Sequence, residues 1–202
     1  MNISAIARLR QLPAVFSLSM LAARLDADKT KASIYAKRWK DAGLIRAVGP
    51  KVGVYYNLLV DPQAASTQSL NALRLVFPEA VIGAETVLHD AGWTTQIPYK
   101  THVIVLDRRS VPQIDGFELH RRPRAWFAEF AQEIDQTSFA RLSAYGALVD
   151  AYKYGRYSHQ RAWCPDIDDL QSDEIDWARL AAVFERHQQP WPTAYQAMRN
   201  HS

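Results

Sequence analysis

Residues 25–45, LDADKTKASIYAKRWKDAGLI, run into RAVGPKVGVYYNL, and this stretch constrains the fold more than any other part of the chain. Asp28 stands where a carboxylate accepts the free backbone N–H groups at the start of a helix. Ala32, Ala36 and Trp39 recur at spacings of four and three, which places them on one helical face. Lys29, Thr30, Lys31, Ser33, Tyr35, Lys37 and Arg38 fall on the remaining surface. Gly43 supplies the left-handed residue that ends such a helix. Leu44 and Ile45 then begin a strand, Gly49-Pro50-Lys51-Val52-Gly53 make a turn, and residues 54–58 return as a second strand. A helix over 18–25, a tight turn, a basic helix over 29–42 and a basic hairpin are the parts of a winged helix-turn-helix that reads DNA.

Charge is distributed to match. Residues 1–60 hold ten Lys or Arg against three Asp or Glu, residues 61–124 seven against seven, and residues 125–202 seven against eleven. The net charge of +3 therefore hides a basic front and an acidic rear, and a basic front suits nucleic acid.

The 202 residues suffice for one large domain or two small ones, and 48% are hydrophobic, enough for real cores. A single cysteine, Cys164, excludes an internal disulfide framework and fits a reducing cytoplasm. No apolar run approaches the ~20 residues of a membrane span. Arg8 and Arg10 interrupt what would otherwise resemble a signal peptide, so a helix over 2–12 and a cytoplasmic location are expected.

The expected fold class is α+β, with a winged helix-turn-helix over 1–62 and a mixed α/β domain over 69–202. Asp61-Pro62-Gln63 breaks the wing strand, and residues 64–68 are small and polar, as a linker would be. In the second domain, residues 70–76 and 84–89 predict helices. Val103-Ile104-Val105-Leu106 predicts a strand, and Phe117-Glu118-Leu119-His120 another that pairs with it across a turn at Asp115-Gly116. Residues 144–154 and 172–187 predict amphipathic helices, the latter with Asp173, Glu174 and Asp176 in its first turn.

With these segments placed, the chain resembles the AbiEi family of antitoxins from type IV toxin–antitoxin (abortive infection) systems. VIGAETVLHDAG, residues 81–92, is similar to the family's strand-to-helix stretch of the type YISLESALALHGL, and VIVLDRR, residues 103–109, to the strand that follows. SAYGALVDA, residues 143–151, is similar to the helix TPERALLDA, with Ala144-Tyr145-Gly146 in place of Pro-Glu-Arg. DWARL, residues 176–180, is similar to the late helix start LDWERL. The resemblance implies an antitoxin that is also the transcriptional autorepressor of its operon. It further implies a nucleotidyltransferase-like toxin as functional partner, opposed through its effect and not necessarily by contact.

Other chemistry is thinly represented, and no enzyme, metal or cofactor is expected. The histidines His89, His102, His120, His159, His187 and His201 never pair at a spacing that puts two ligands on one helical face. Asp107, Glu118 and His120 are the best nuclease-like set, as two carboxylates across a hairpin, but the preferred reading is alternation of exposed strand residues. The acidic run Asp166, Asp168, Asp169, Asp173, Glu174 and Asp176 lacks the central glycine of a calcium loop. Arg108, Arg109, Arg121, Arg122 and Arg124 form a possible additional basic patch.

The expected DNA-binding residues are thus Lys29, Thr30, Lys31, Ser33, Tyr35, Lys37 and Arg38 on the helix, with Arg46 and Lys51 on the wing. The expected partner is a double-stranded operator, an inverted repeat if the chain binds as a homodimer. The alternatives are a winged-helix regulator whose second domain senses a ligand or partner and, behind it, a nuclease carrying a DNA-binding module.

Overall fold

A computed structural model describes residues 5–136, 138–155, 165 and 169–196. The fold is mixed α+β, and its contacts divide it into two units, Met1–Glu79 with Arg108–Gly116, and Ala80–Asp107 with Phe117–Ser202. His159, Cys164, Asp166, Asp168 and His201 lie outside the described residues. Among the described residues no helix is long and apolar enough to cross a membrane.

In the first unit, α1 (Ala5–Arg10), β1 (Val15–Ser17), α2 (Leu18–Leu25), α3 (Lys29–Asp41), β2 (Ile45–Ala47) and β3 (Val54–Asn57) follow one another. The strands form an antiparallel sheet in the order β1-β3-β2, with Val15 opposite Tyr56 and Arg46 opposite Tyr56 on the other side. Leu9, Phe16, Leu21, Leu25, Ala32, Ala36, Trp39 and Ile45 make one core, so Ala32, Ala36 and Trp39 are buried together as their spacing predicts. Asn57 is fully buried and donates through Nδ2 to the carbonyls of Leu9 (2.9 Å) and Leu12 (3.2 Å), satisfying acceptors at the end of α1.

The boundary expected at 62–69 lies further along the chain. Asp61 accepts the Gln63 N–H (2.9 Å) and the Thr67 hydroxyl (2.7 Å), so the stretch read as a linker winds into α4 (Ala64–Thr67). Ala64 is buried, and α5 (Ser69–Val76) packs on β1 and β3 through a face that buries Ala72 and Leu73.

The second unit is built on a mixed sheet of β4 (Val81–Ile82), β5 (Thr101–Leu106), β6 (Phe117–Arg122), β7 (Ile134–Asp135) and β8 (Arg141–Leu142), ordered β6-β5-β4-β8-β7. The helices are α6 (Ala84–Asp90), α7 (Arg124–Glu129), α8 (Ala144–Gly155) and α9 (Trp177–Arg186). Val81, Leu88, Ile104, Trp126, Phe130, Leu148, Leu180 and Phe184 share its core. The helix expected from residue 172 begins at Trp177, because the Asp176 carboxylate accepts the Arg179 N–H (2.9 Å) and caps it there.

One expected pairing forms, but in the opposite direction to a hairpin. β5 and β6 run parallel, with His102 opposite Glu118, Ile104 opposite His120 and Leu106 opposite Arg122. The turn at Asp115-Gly116 therefore closes no hairpin, and residues 108–116 form a crossing segment that belongs to the first unit.

Candidate nucleic-acid interface

Helix α3 is held by local chemistry at both ends. Asp28 is extended and its carboxylate accepts the Lys31 N–H at 2.7 Å. Asp26, left-handed at φ 49°, makes the three-residue turn from α2 possible, a role that Asp tolerates better than most side chains. At the far end Gly43 adopts φ 69°, Leu44 donates to the Trp39 carbonyl (2.9 Å) and Gly43 to that of Lys40 (3.0 Å), a Schellman closure. With Ala32, Ala36 and Trp39 turned inward, Lys29, Thr30, Lys31, Ser33, Lys37 and Arg38 are all exposed. Tyr35 departs from expectation. It is half-buried, packed against the core with its ring 5.8 Å from that of Trp39.

Between α3 and the β2–β3 hairpin lies a groove of about 330 Å³, lined by Ser33, Lys37 and Lys40 on one wall and Gly49, Lys51 and Tyr55 on the other. Lys40 belongs to this surface, and a sequence reading centred on the N-terminal half of the helix misses it. Among the described residues, Lys29, Lys31, Lys37, Arg38, Lys40 and Lys51 are exposed and enter no ion pair. Three of these cations, Lys37, Lys40 and Lys51, line the groove and repel one another there, a cost that an external anion removes. Burial holds the Tyr55 phenol above its ordinary range, so it lines the groove uncharged.

The hairpin is braced by the crossing segment. Asp115 donates its N–H to the Val48 carbonyl (3.2 Å), and the Gln113 carbonyl sits so close to Gly49 that any side chain there would collide with it. Arg46 faces Asp115 at 3.6 Å with both side chains largely exposed, so this predicted DNA contact already has a partner within the chain.

The residues of the additional basic patch divide between the two units. Arg108 pairs with Glu79 (2.7 Å) beside the Phe77 ring, in the first unit with Arg109. In the second unit Arg121 and Arg124 are exposed, whereas Arg122 is committed inward: Asp150 accepts from its Nε (2.8 Å) and Nη2 (2.6 Å), and the Tyr154 ring lies 4.4 Å away. The parallel register likewise removes the hairpin that would have set Asp107 across from Glu118. What β5 and β6 bring together instead is a histidine pair, His120 Nε2 to His102 Nδ1 at 3.1 Å, with Glu85 3.4 Å from His102 Nε2. Burial, then the neighbouring His102 and Arg122, lower the His120 pKa to about 3, and burial lowers that of His102. Among the described residues no group of three His, Cys, Asp or Glu is arranged to hold a metal ion.

Comparison with solved structures finds a distant likeness, the crystal structure of the RV2827C protein from Mycobacterium tuberculosis. The identity is 14% and the TM-score 0.47, over 90% of this chain and 75% of that one. No protein-family model and no curated protein matches the chain.

Proposed function

We propose that the first unit is a winged helix-turn-helix and that the protein is a DNA-binding antitoxin and transcriptional autorepressor of a toxin–antitoxin operon. The observation that carries the DNA-binding reading is the groove between α3 and the hairpin, lined by the exposed, unpaired Lys37, Lys40 and Lys51, with Lys29, Lys31 and Arg38 exposed and unpaired elsewhere on α3. In this reading α3 lies in the major groove, and the hairpin tip with Lys51 reaches the neighbouring minor groove. The phosphate strand between the two grooves then passes along Lys37, Lys40 and Lys51. Lys29, Lys31 and Arg38 hold flanking phosphates, and Thr30 and Ser33 face base edges. Such phosphate contacts position the protein, whereas base contacts specify.

The antitoxin reading rests on the four segments, residues 81–92, 103–109, 143–151 and 176–180, that resemble the AbiEi family. It assigns a nucleotidyltransferase-like toxin as functional partner and an inverted-repeat operator bound by two copies. The test is a footprint on the protein's own promoter, together with identification of the adjacent reading frame, expected to encode a nucleotidyltransferase-like toxin, and its co-expression with this protein. A protected promoter and rescued growth are expected. A footprint without rescue would leave a winged-helix regulator whose second unit senses something else, and no footprint at all would contradict the DNA-binding reading.

A further inference from the structure

The outward face of α3 carries one residue that neither electrostatics nor packing within the unit explains. Ile34 is 48% exposed in the middle of the helix. It shares its face with Thr30 four residues before, Lys37 three after, Arg38 four after and Asp41 seven after, opposite buried Ala32, Ala36 and Trp39. As a β-branched residue it also favours the helix less than the straight-chain residues around it. The side chains beside it are polar, and Lys37 and Arg38 carry charges that find phosphate. The centre of the face is thus apolar, and its rim carries the cations Lys37 and Arg38 together with the Thr30 hydroxyl and the Asp41 carboxylate.

We propose that Ile34 is a specificity-determining residue that packs against the 5-methyl group of a thymine in the major groove. The inference rests on the DNA-binding reading and deepens it. The thymine methyl is the apolar feature that the major groove offers, and an aliphatic side chain at the centre of a recognition face is its complement. The hydroxyls of Thr30 and Ser33 accept or donate and so discriminate poorly between bases, which leaves Ile34 to impose a preference. The surrounding cations fix the register in which it meets the base.

The test uses the full chain. Sequences are selected from a randomised duplex library, and each thymine of the selected site is then replaced by deoxyuridine, which removes only the methyl group. One such replacement per half-site is expected to weaken binding about fourfold, the worth of one buried methyl-sized group. Ile34→Ala is expected to bind the thymine and deoxyuridine duplexes equally, and Ile34→Val to keep part of the difference. Because Ile34 is exposed, both variants should melt like the wild type, and a melting curve checks this. Selective binding that no deoxyuridine replacement alters would overturn the inference while leaving the DNA-binding reading standing. So would a well-folded Ile34→Ala that still discriminates as the wild type does. Failure of the wild type to bind any duplex would instead overturn the reading beneath it.

Discussion

Asp150 shows how much a single buried carboxylate settles in the second unit. It is 1% exposed and accepts two bonds from Arg122 and one from the Trp126 indole N–H at 2.7 Å. Asp150→Ala would leave a guanidinium and an indole donor without their acceptor, and is expected to cost about 3–5 kcal/mol in urea unfolding. The sequence places Arg122 among surface arginines because its acceptor lies 28 residues away, a pairing that no local pattern carries. The histidine pair gives a second prediction. His120 in the folded chain stays neutral down to about pH 3, and His102 shifts the same way from 6.5. The unfolded chain binds protons at both sites as the pH falls through about 6.5. Stability is therefore fully present above that value and declines below it. Glu85, raised by burial, acts in the opposite direction nearer its own ordinary value of 4.5. The clean window is thus about pH 6.5 to 5.5, set by the histidine pKa. Urea midpoints should fall across it for the wild type and fall less for His120→Gln, whereas equal slopes would contradict the shift.

At the scale of elements, α3 is legible because each of its determinants is local: a capping Asp, three apolar residues at helical spacing and a closing Gly. Trp39 belongs to that pattern, and Trp39→Ala should cost about 3–5 kcal/mol by opening the core behind the helix, read from thermal or urea melts. β1 is not legible, since three residues between two helices offer no alternation, and its strand character comes from pairing with β3. Parallel pairing of β5 and β6 is hidden for a related reason. Asp115-Gly116 has the composition of a hairpin turn, but whether its flanking strands pair antiparallel is decided by neighbours far along the chain. Gly146 is a further case. A Cβ there would lie 2.7 Å from the Cβ of Glu133, whose carboxylate accepts the Ser143 hydroxyl (2.7 Å) and bonds Arg186. Gly146→Ala should therefore destabilise the second unit by about 1–3 kcal/mol through overpacking, despite the higher helix propensity of alanine.

For the whole molecule, the crossing segment 108–116 makes the first unit discontinuous in sequence. A fragment ending near residue 68 lacks α5 against the sheet, and one ending at Glu79 still lacks the segment that braces Gly49 and Val48. The charge polarity of the chain suggests a simpler division, because charge reports which surface faces a partner and not which segments share a core. If the α3–hairpin face holds DNA through its unpaired cations, removing three of them must change both the strength of binding and its response to salt. Both are read from the affinity of the full chain for promoter duplex over a range of salt concentrations, for the wild type and for Lys37→Ala/Lys40→Ala/Lys51→Ala. The triple variant is expected to bind every sequence more weakly, with a log–log salt slope shallower by about 0.9 for each phosphate it no longer neutralises. A folded triple variant with unchanged affinity and unchanged slope would show that this face does not hold the DNA backbone.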